Sequence, residues 1–404
     1  MKILIINNGS SLGGWRWLRY VVVAIKTHYP ETQIQLFLNN NITSVVNNDD
    51  YFTKHGIKIF KLISPPSPKK RSIVSKAFMQ VKFFIRNKFF IKKTAQLINE
   101  SDLVFFTWNY TNNELISKIN VPIFYIQHDF IFSHFFGLHC GNNYNKLWYN
   151  YFKNNVKQMI EKNATFIGSS QHVMNELKRL FPEYKKDDNV VYIAGLNDKD
   201  VSEGQKIDLL KKLEINFDYC LYCTNDMHHK NMQAVLGAFY YVKQKYPNIK
   251  LIITGHGTNG IRVQVNCPHY CDHIEDENPN FDIKSLGLVS DEELLALMKG
   301  AKMLVNCSLD EAACGSGLDA WQMGCPTAIS NIPCYLQQVE HLGVKTEFFN
   351  PKNCEDIANK MLFLLDNPEI AKQNAQDSKL ALEKYTSKDV ADEYMKIFEK
   401  VLIK

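Results

Sequence analysis

No apolar run in the chain reaches the roughly 18 residues that a membrane span needs, so no crossing helix is expected. An excess of one charge is also missing. Lysine and arginine number 47 against 42 acids, and the net charge of +5 is too small to imply nucleic acid by itself. A disulfide framework is missing too. The ten cysteines are scattered, and Cys220, Cys223, Cys307 and Cys325 fall in apparent strands or helices. That pattern fits reduced, buried thiols in a cytoplasmic protein. The pair Cys220 and Cys223 sits in a strand rather than at a helix start, so a redox role is not expected. The opening MKILIINNGSS reads as a first strand rather than a signal peptide. Within these bounds, 404 residues, 45% apolar and 22% charged, leave room for two soluble α/β domains of ordinary size.

The first unit is assigned to 1–195. Apolar strands are expected at 2–6, 34–38, 57–60, 103–107, 123–126 and 165–167, with helical stretches between them. This alternation argues for a parallel, doubly wound sheet. The loop 7–14 ends in Gly13 and Gly14 before a helix over 15–25, an arrangement that leaves backbone amides for a phosphate. His128 and Asp129 end the strand over 123–126, where ligands of doubly wound sheets bind. His134 and His139 follow in an aromatic-rich loop. A further strand is expected over 189–196.

Between 69 and 93 the character changes. Nine basic residues, from Lys69 to Lys93, occur with no acid among them, and five phenylalanines are interleaved. Such a segment can lie on an anionic membrane surface, or it can be a crossover helix with solvated lysines. Nothing else in the chain resembles a nucleic-acid module, so no nucleic-acid partner is expected.

The second unit is assigned to 196–385, and 386–404 to an amphipathic helix that crosses back onto the first. A strand over 219–223 leads to Lys230 at the start of a helix, a position that suits a diphosphate. Cys267, His269, Cys271 and His273 have spacings that zinc accepts, but no second C-x-x-C pair supports them and no metal is expected. The stretch 310–327, DEAACGSGLDAWQMGCPT, organises the rest. It follows an apolar strand over 303–305 and opens with Glu311. Gly315, Ser316 and Gly317 then lead to a helix over 318–323, and Asp319 lies eight positions after Glu311. Free amides and a helix N-terminus make a cradle for an anion, flanked by two carboxylates that sugar hydroxyls could reach.

With these residues in place, the chain resembles the retaining GT-B glycosyltransferases of the family-4, group 1 kind. The pattern of an acid, seven residues, a second acid, Ala and G-x-P reads here as Glu311, Asp319, Ala320 and Gly324-Cys325-Pro326. His229-Lys230-Asn231, Gly255-His256-Gly257 and Leu286-Gly287-Leu288-Val289 follow the family's order, and Gly13-Gly14 and His128-Asp129 match more weakly. The resemblance implies two facing Rossmann-like domains with a cleft between them, and a metal-independent hexosyltransferase that needs no cofactor. A nucleotide-diphosphate sugar would be its co-substrate and a glycan or lipid-linked saccharide its acceptor.

The resemblance also implies roles. Glu311 would contact the donor sugar and the charge at the anomeric carbon, Lys230 the diphosphate, and His128 the donor sugar. The amides of Cys314, Gly315, Ser316, Gly317 and Leu318 would cover sugar and phosphate, and Asp319 would hold the ribose. Backbone near Leu288 and Val289 would meet the base, Gly255 lies in the matched loop, and Gly14 would approach the phosphates from the first unit. Two departures stand out. The second acid is Asp319 rather than glutamate. The arginine expected about six residues before Lys230 is missing, since 223–226 holds no basic residue. Arg16 or His229 are candidates to compensate. A catalytically silent nucleotide-sugar-binding or scaffold protein of the same fold is the second reading. A GT-B epimerase or a phosphorylase is disfavoured by the pattern at 311–319. Cytoplasmic placement is expected, with contact at the membrane if 69–93 lies on it.

Overall fold

A computed structural model describes residues 1–7, 12–38, 51–61, 88–108, 113–134, 143–194, 200–225, 227–258 and 282–403. His139, the four Cys and His between 267 and 273, and most of the basic segment 69–93 lie outside the described residues. Of that segment, a helix over 88–99 begins with Phe89 71% exposed and Ile91 buried. Among the described residues, no helix is long and apolar enough to cross a membrane.

Twelve strands form two parallel six-stranded sheets. The first contains β1 (Lys2–Asn7), β2 (Gln33–Leu38), β3 (Lys58–Lys61), β4 (Leu103–Phe106), β5 (Ile123–Gln127) and β6 (Thr165–Gly168). Its order is β3-β2-β1-β4-β5-β6. The second contains β7 (Tyr219–Cys223), β8 (Lys250–Thr254), β9 (Ile283–Gly287), β10 (Met303–Asn306), β11 (Thr327–Ser330) and β12 (Glu347–Phe349), in the order β12-β11-β10-β7-β8-β9. In each sheet the chain winds outward from a central strand, returns to its other side and winds outward again. The reversals fall between β1 and β4 and between β7 and β10, and crevices open beyond the carboxyl ends there. Register supports the pairing: Ile3 lies opposite Leu103, and Leu304 opposite Leu221.

Helices cover both faces of each sheet, which is why the strands read as apolar runs rather than as alternating patterns. Ile3, Ile5 and Phe105 point to one core, and Leu4, Ile6 and Val104 to the other. The second sheet has the same two-sided burial.

The C-terminal helix Ser387–Leu402 completes the first unit. Thr386 caps it in a reciprocal box with Asp389. Val390, Ala391, Tyr394, Met395 and Phe398 enter the core beneath helix Leu12–His28. The Phe398 ring meets those of Phe105 and Phe124 at 5.5 and 4.7 Å. The Tyr29 hydroxyl donates to Asp392 at 2.9 Å.

The strand expected over 189–196 does not form over its described residues, 189–194. It reduces to a single parallel bridge between Gly168 and Val190. The Gly168 amide donates to the Asn189 carbonyl, and the Val191 amide donates to Gly168. Beyond that point the Ile193 carbonyl accepts from the Gln338 side chain of the second unit, which draws the segment off the sheet.

Candidate active site

The carboxyl ends of the two sheets face one another across a cleft of about 460 Å³. Lys230 reaches it from the turn His228–Lys230 after β7. Asn231 ends that turn in a left-handed conformation, φ 58° and ψ 40°. Its side-chain amide donates to the Pro351 carbonyl at 2.7 Å, and the Tyr222 hydroxyl donates to the Lys230 carbonyl. The turn is therefore anchored, and the Lys230 ammonium pairs with Glu311. Ser308 donates to the same Glu311 oxygen at 2.9 Å, and His229 Nε2 lies 3.6 Å from it.

The helix after Glu311 spans Gly315–Gln322 and begins three residues earlier than the sequence pattern indicates. Gly315 and Gly317 thus form its first turn rather than a loop. Gly317 is there for packing, since a Cβ would sit 2.6 Å from Cys314 Sγ and 3.2 Å from the Trp321 ring. Several amides of this stretch already have acceptors. Cys314 donates to Gln338 Oε1 at 2.7 Å, Gly315 to Ala313 and Leu318 to Cys314. Those three are not open to a ligand in this conformation, and Cys314 and Leu318 are fully buried. Gly315 and Ser316 do border the cleft, and the Ser316 hydroxyl accepts from Asn306 at 2.9 Å.

Asp319 stands differently from its sequence-based role. Its side chain is 1% exposed, and both carboxylate oxygens accept from Arg16, at 2.7 and 2.8 Å. The aspartate is committed to a guanidinium from the other unit, and no exposed oxygen is left for a ribose.

Gly255 follows β8 with φ +134°, and a Cβ there would lie 1.7 Å from the Thr224 carbonyl oxygen, so only glycine fits. Leu288 and Val289 border the same end of the cleft, with Leu288 62% exposed.

From the first unit, Gly14, His128 and Asp129 reach the cleft. The glycine pair lies in the first turn of helix Leu12–His28 rather than before it. His128 is packed edge-on to Trp17 at 4.7 Å and tilted against Trp108 at 5.3 Å. Burial pushes its pKa down to about 4. With the ring neutral, Nε2–H donates to the Thr107 carbonyl at 3.2 Å, which leaves Nδ1 as an acceptor. Asp129 lies beside it, and burial, followed by the charge of Asp310, raises its pKa to about 7.

Residues 206–380 match the family model described as glycosyl transferases group 1. The second unit is a group 1 glycosyltransferase domain. Solved structures agree across the whole chain. HepE from Anabaena, solved in complex with UDP and glucose, matches with 99% of each chain covered, 16% identity and a TM-score of 0.67. WaaG, a glycosyltransferase involved in lipopolysaccharide biosynthesis, matches over 98% of this chain and 99% of its own, at 10% identity and a TM-score of 0.67. Sucrose-phosphate synthase from Thermosynechococcus elongatus matches over 100% and 99%, at 12% identity and a TM-score of 0.67. Among curated proteins, no sequence matches significantly. At these identities the structural likeness carries the fold, which is GT-B.

Three features of the cleft were not assigned from sequence. Asp129 was noted only as the neighbour of His128, with no role. His134, on the short helix Ile131–His134, bridges Asp310 at 2.5 Å and Glu176 at 2.8 Å and so joins the two units beside Glu311. Arg16 was only a candidate substitute for the missing arginine. Its partner lies 303 positions away, and no local pattern signals a pairing over that separation.

Proposed function

We propose that the protein transfers a hexosyl group from a nucleotide-diphosphate sugar to a hydroxyl of a glycan or lipid-linked saccharide, with retention of anomeric configuration. The observation that carries this reading is the Lys230–Glu311 pair at the carboxyl ends of β7 and β10, in a cleft shared with the first sheet. Breaking the donor bond places negative charge on the leaving diphosphate and positive charge on the sugar ring. Lys230 answers the first and the Glu311 carboxylate the second, both from positions set before the reaction.

The other placements follow the cleft. Neutral His128 offers Nδ1 to a donor-sugar hydroxyl. The base lies against Leu288 and Val289 near Gly255, and Gly14 approaches the phosphates from the first unit. The leaving phosphate takes the acceptor proton on the same face, which gives retention. Protein cations suffice and no metal is required. HepE was solved with UDP-glucose, which supports a nucleotide-sugar donor here. The seven described cysteines are free, six of them buried, which supports a reducing, cytoplasmic setting.

The test is a panel of UDP-, GDP-, ADP- and dTDP-sugars with the purified protein, with and without EDTA. Binding is read by calorimetry and donor cleavage by NMR. One donor bound and cleaved, with its configuration kept and with EDTA present, is the expected result. An inverted product removes retention, and activity lost to EDTA removes metal independence. The absence of any basic residue in 223–226 favours a silent binder as the second reading. A donor bound but never cleaved, with any acceptor, selects that reading.

A further inference from the structure

Arg16 is the cleft's unexplained cation. It belongs to helix Leu12–His28 of the first unit, yet its guanidinium is held by Asp319 of the second. Two of its five N–H donors are spent on that aspartate. Nε is buried and has no partner. The side chain borders the cleft with Gly14, Cys223 and Thr224. Asp291, at the start of helix Asp291–Gly300, adds a second nearby negative charge. A buried pair with donors to spare is costly to build as a mere link, because removing two charges from water roughly cancels their attraction. The spare donors give it another use.

The geometry points to Arg16 as a second diphosphate-binding cation, supplied by the first unit to the carboxyl end of β7, with Asp319 as the residue that positions it. This rests on the nucleotide-sugar reading of the cleft. Position 224, just after that strand, has a threonine, six residues before Lys230, and Arg16 lines the same cleft from the first unit. The short aspartate suits this task. It grips the guanidinium end-on with two parallel bonds and leaves the outer Nη hydrogens for phosphate oxygens. The consequence is coupling between binding and closure. A diphosphate meets Lys230 on the second unit alone, but meets both cations only when the two units are together.

The experiment compares the affinities of UDP, GDP, ADP and dTDP with those of their monophosphates. Arg16→Gln alone leaves Asp319 buried and unpaired, so the informative variant is Arg16→Gln with Asp319→Asn, checked for folding by circular dichroism. The preference of wild type for diphosphate over monophosphate should fall about tenfold in the double variant, as for one lost charge-assisted contact. Adding Thr224→Arg to it should restore most of that preference, because a cation returns to the same cleft from the second unit. An unchanged preference in the double variant overturns the proposal. So does an equal loss for mono- and diphosphates, which marks Arg16 as a link between units only. If wild type binds none of the eight nucleotides, the nucleotide-sugar reading itself fails and the proposal falls with it.

Discussion

Glu311 is approached from three sides, by Lys230, Ser308 and His229. Removing it should cost catalysis and not folding. Glu311→Ala is expected to lower donor turnover by at least about 100-fold, the scale of losing a preorganised charge in a transition state, with an unchanged circular dichroism spectrum. Lys230→Ala should weaken nucleoside diphosphate binding by about tenfold or more, read by calorimetry. Asp129 gives a prediction of a different kind. Burial raises its pKa to about 7. Unfolding lets it ionise at its ordinary value of 3.8, so its contribution to stability falls as pH rises from there through about 7. Asp129→Asn removes that penalty. Its melting temperature should overtake that of wild type across this window and hold a constant lead above it. Melting curves that stay parallel from pH 4 to pH 8 would contradict the assignment. Lys230, Glu311 and His128 were legible in the sequence because each sits a fixed distance from a strand end. The protonation of His128 and Asp129 was not, because it depends on what packs against them.

The elements themselves are legible where local chemistry decides them. Ser290 with Glu293 caps helix Asp291–Gly300 in a box visible as S-D-E-E, and Gly343 ends helix Pro333–Leu342 in a left-handed turn. They were misread where tertiary contacts override the pattern. The glycines at 315 and 317 signalled a loop, but Cys314 and Trp321 close around Gly317 and the helix starts earlier. The apolar run over 189–196 signalled a strand, but Gln338 claims its Ile193 carbonyl. The C-terminal helix is the most separable element and the easiest to test. Phe398 is fully buried against Phe105 and Phe124. Phe398→Ala should cost about 3–5 kcal/mol, and Thr386→Ala at its N-cap about 1 kcal/mol, both measured by urea unfolding. A loss confined to the second unit's transition would mean that this helix does not stabilise the first.

At the scale of the molecule, the two units are tied around the cleft by contacts of different chemistry. Arg16 meets Asp319, His172 donates through its amide to Gln337, the Ser169 hydroxyl lies 3.0 Å from the Ala312 carbonyl, and His134 bridges Asp310 and Glu176. The last of these titrates. The Asp310 hydrogen bond leads in raising His134 to about 9, against an ordinary 6.5, and Glu176, itself held by Arg179, adds to it. A raised histidine stabilises most below its ordinary pKa, so the tie is complete below about pH 6.5 and is lost as pH rises through about 9. Wild type should therefore melt above His134→Gln at pH 6 and no longer do so at pH 10. Small-angle scattering should show a larger radius of gyration at the higher pH.

The sequence by itself determined the two parallel sheets, a helix shortly after Glu311, the capped helices and the position of Lys230. Each follows from periodicity, capping and turn chemistry acting over a few residues. Only the tertiary structure decided that Asp319 serves Arg16, that His134 joins the units and that Asp129 sits at the edge of ionisation. Those outcomes depend on charges brought together across hundreds of positions and removed from water together, and no local pattern in the chain records that.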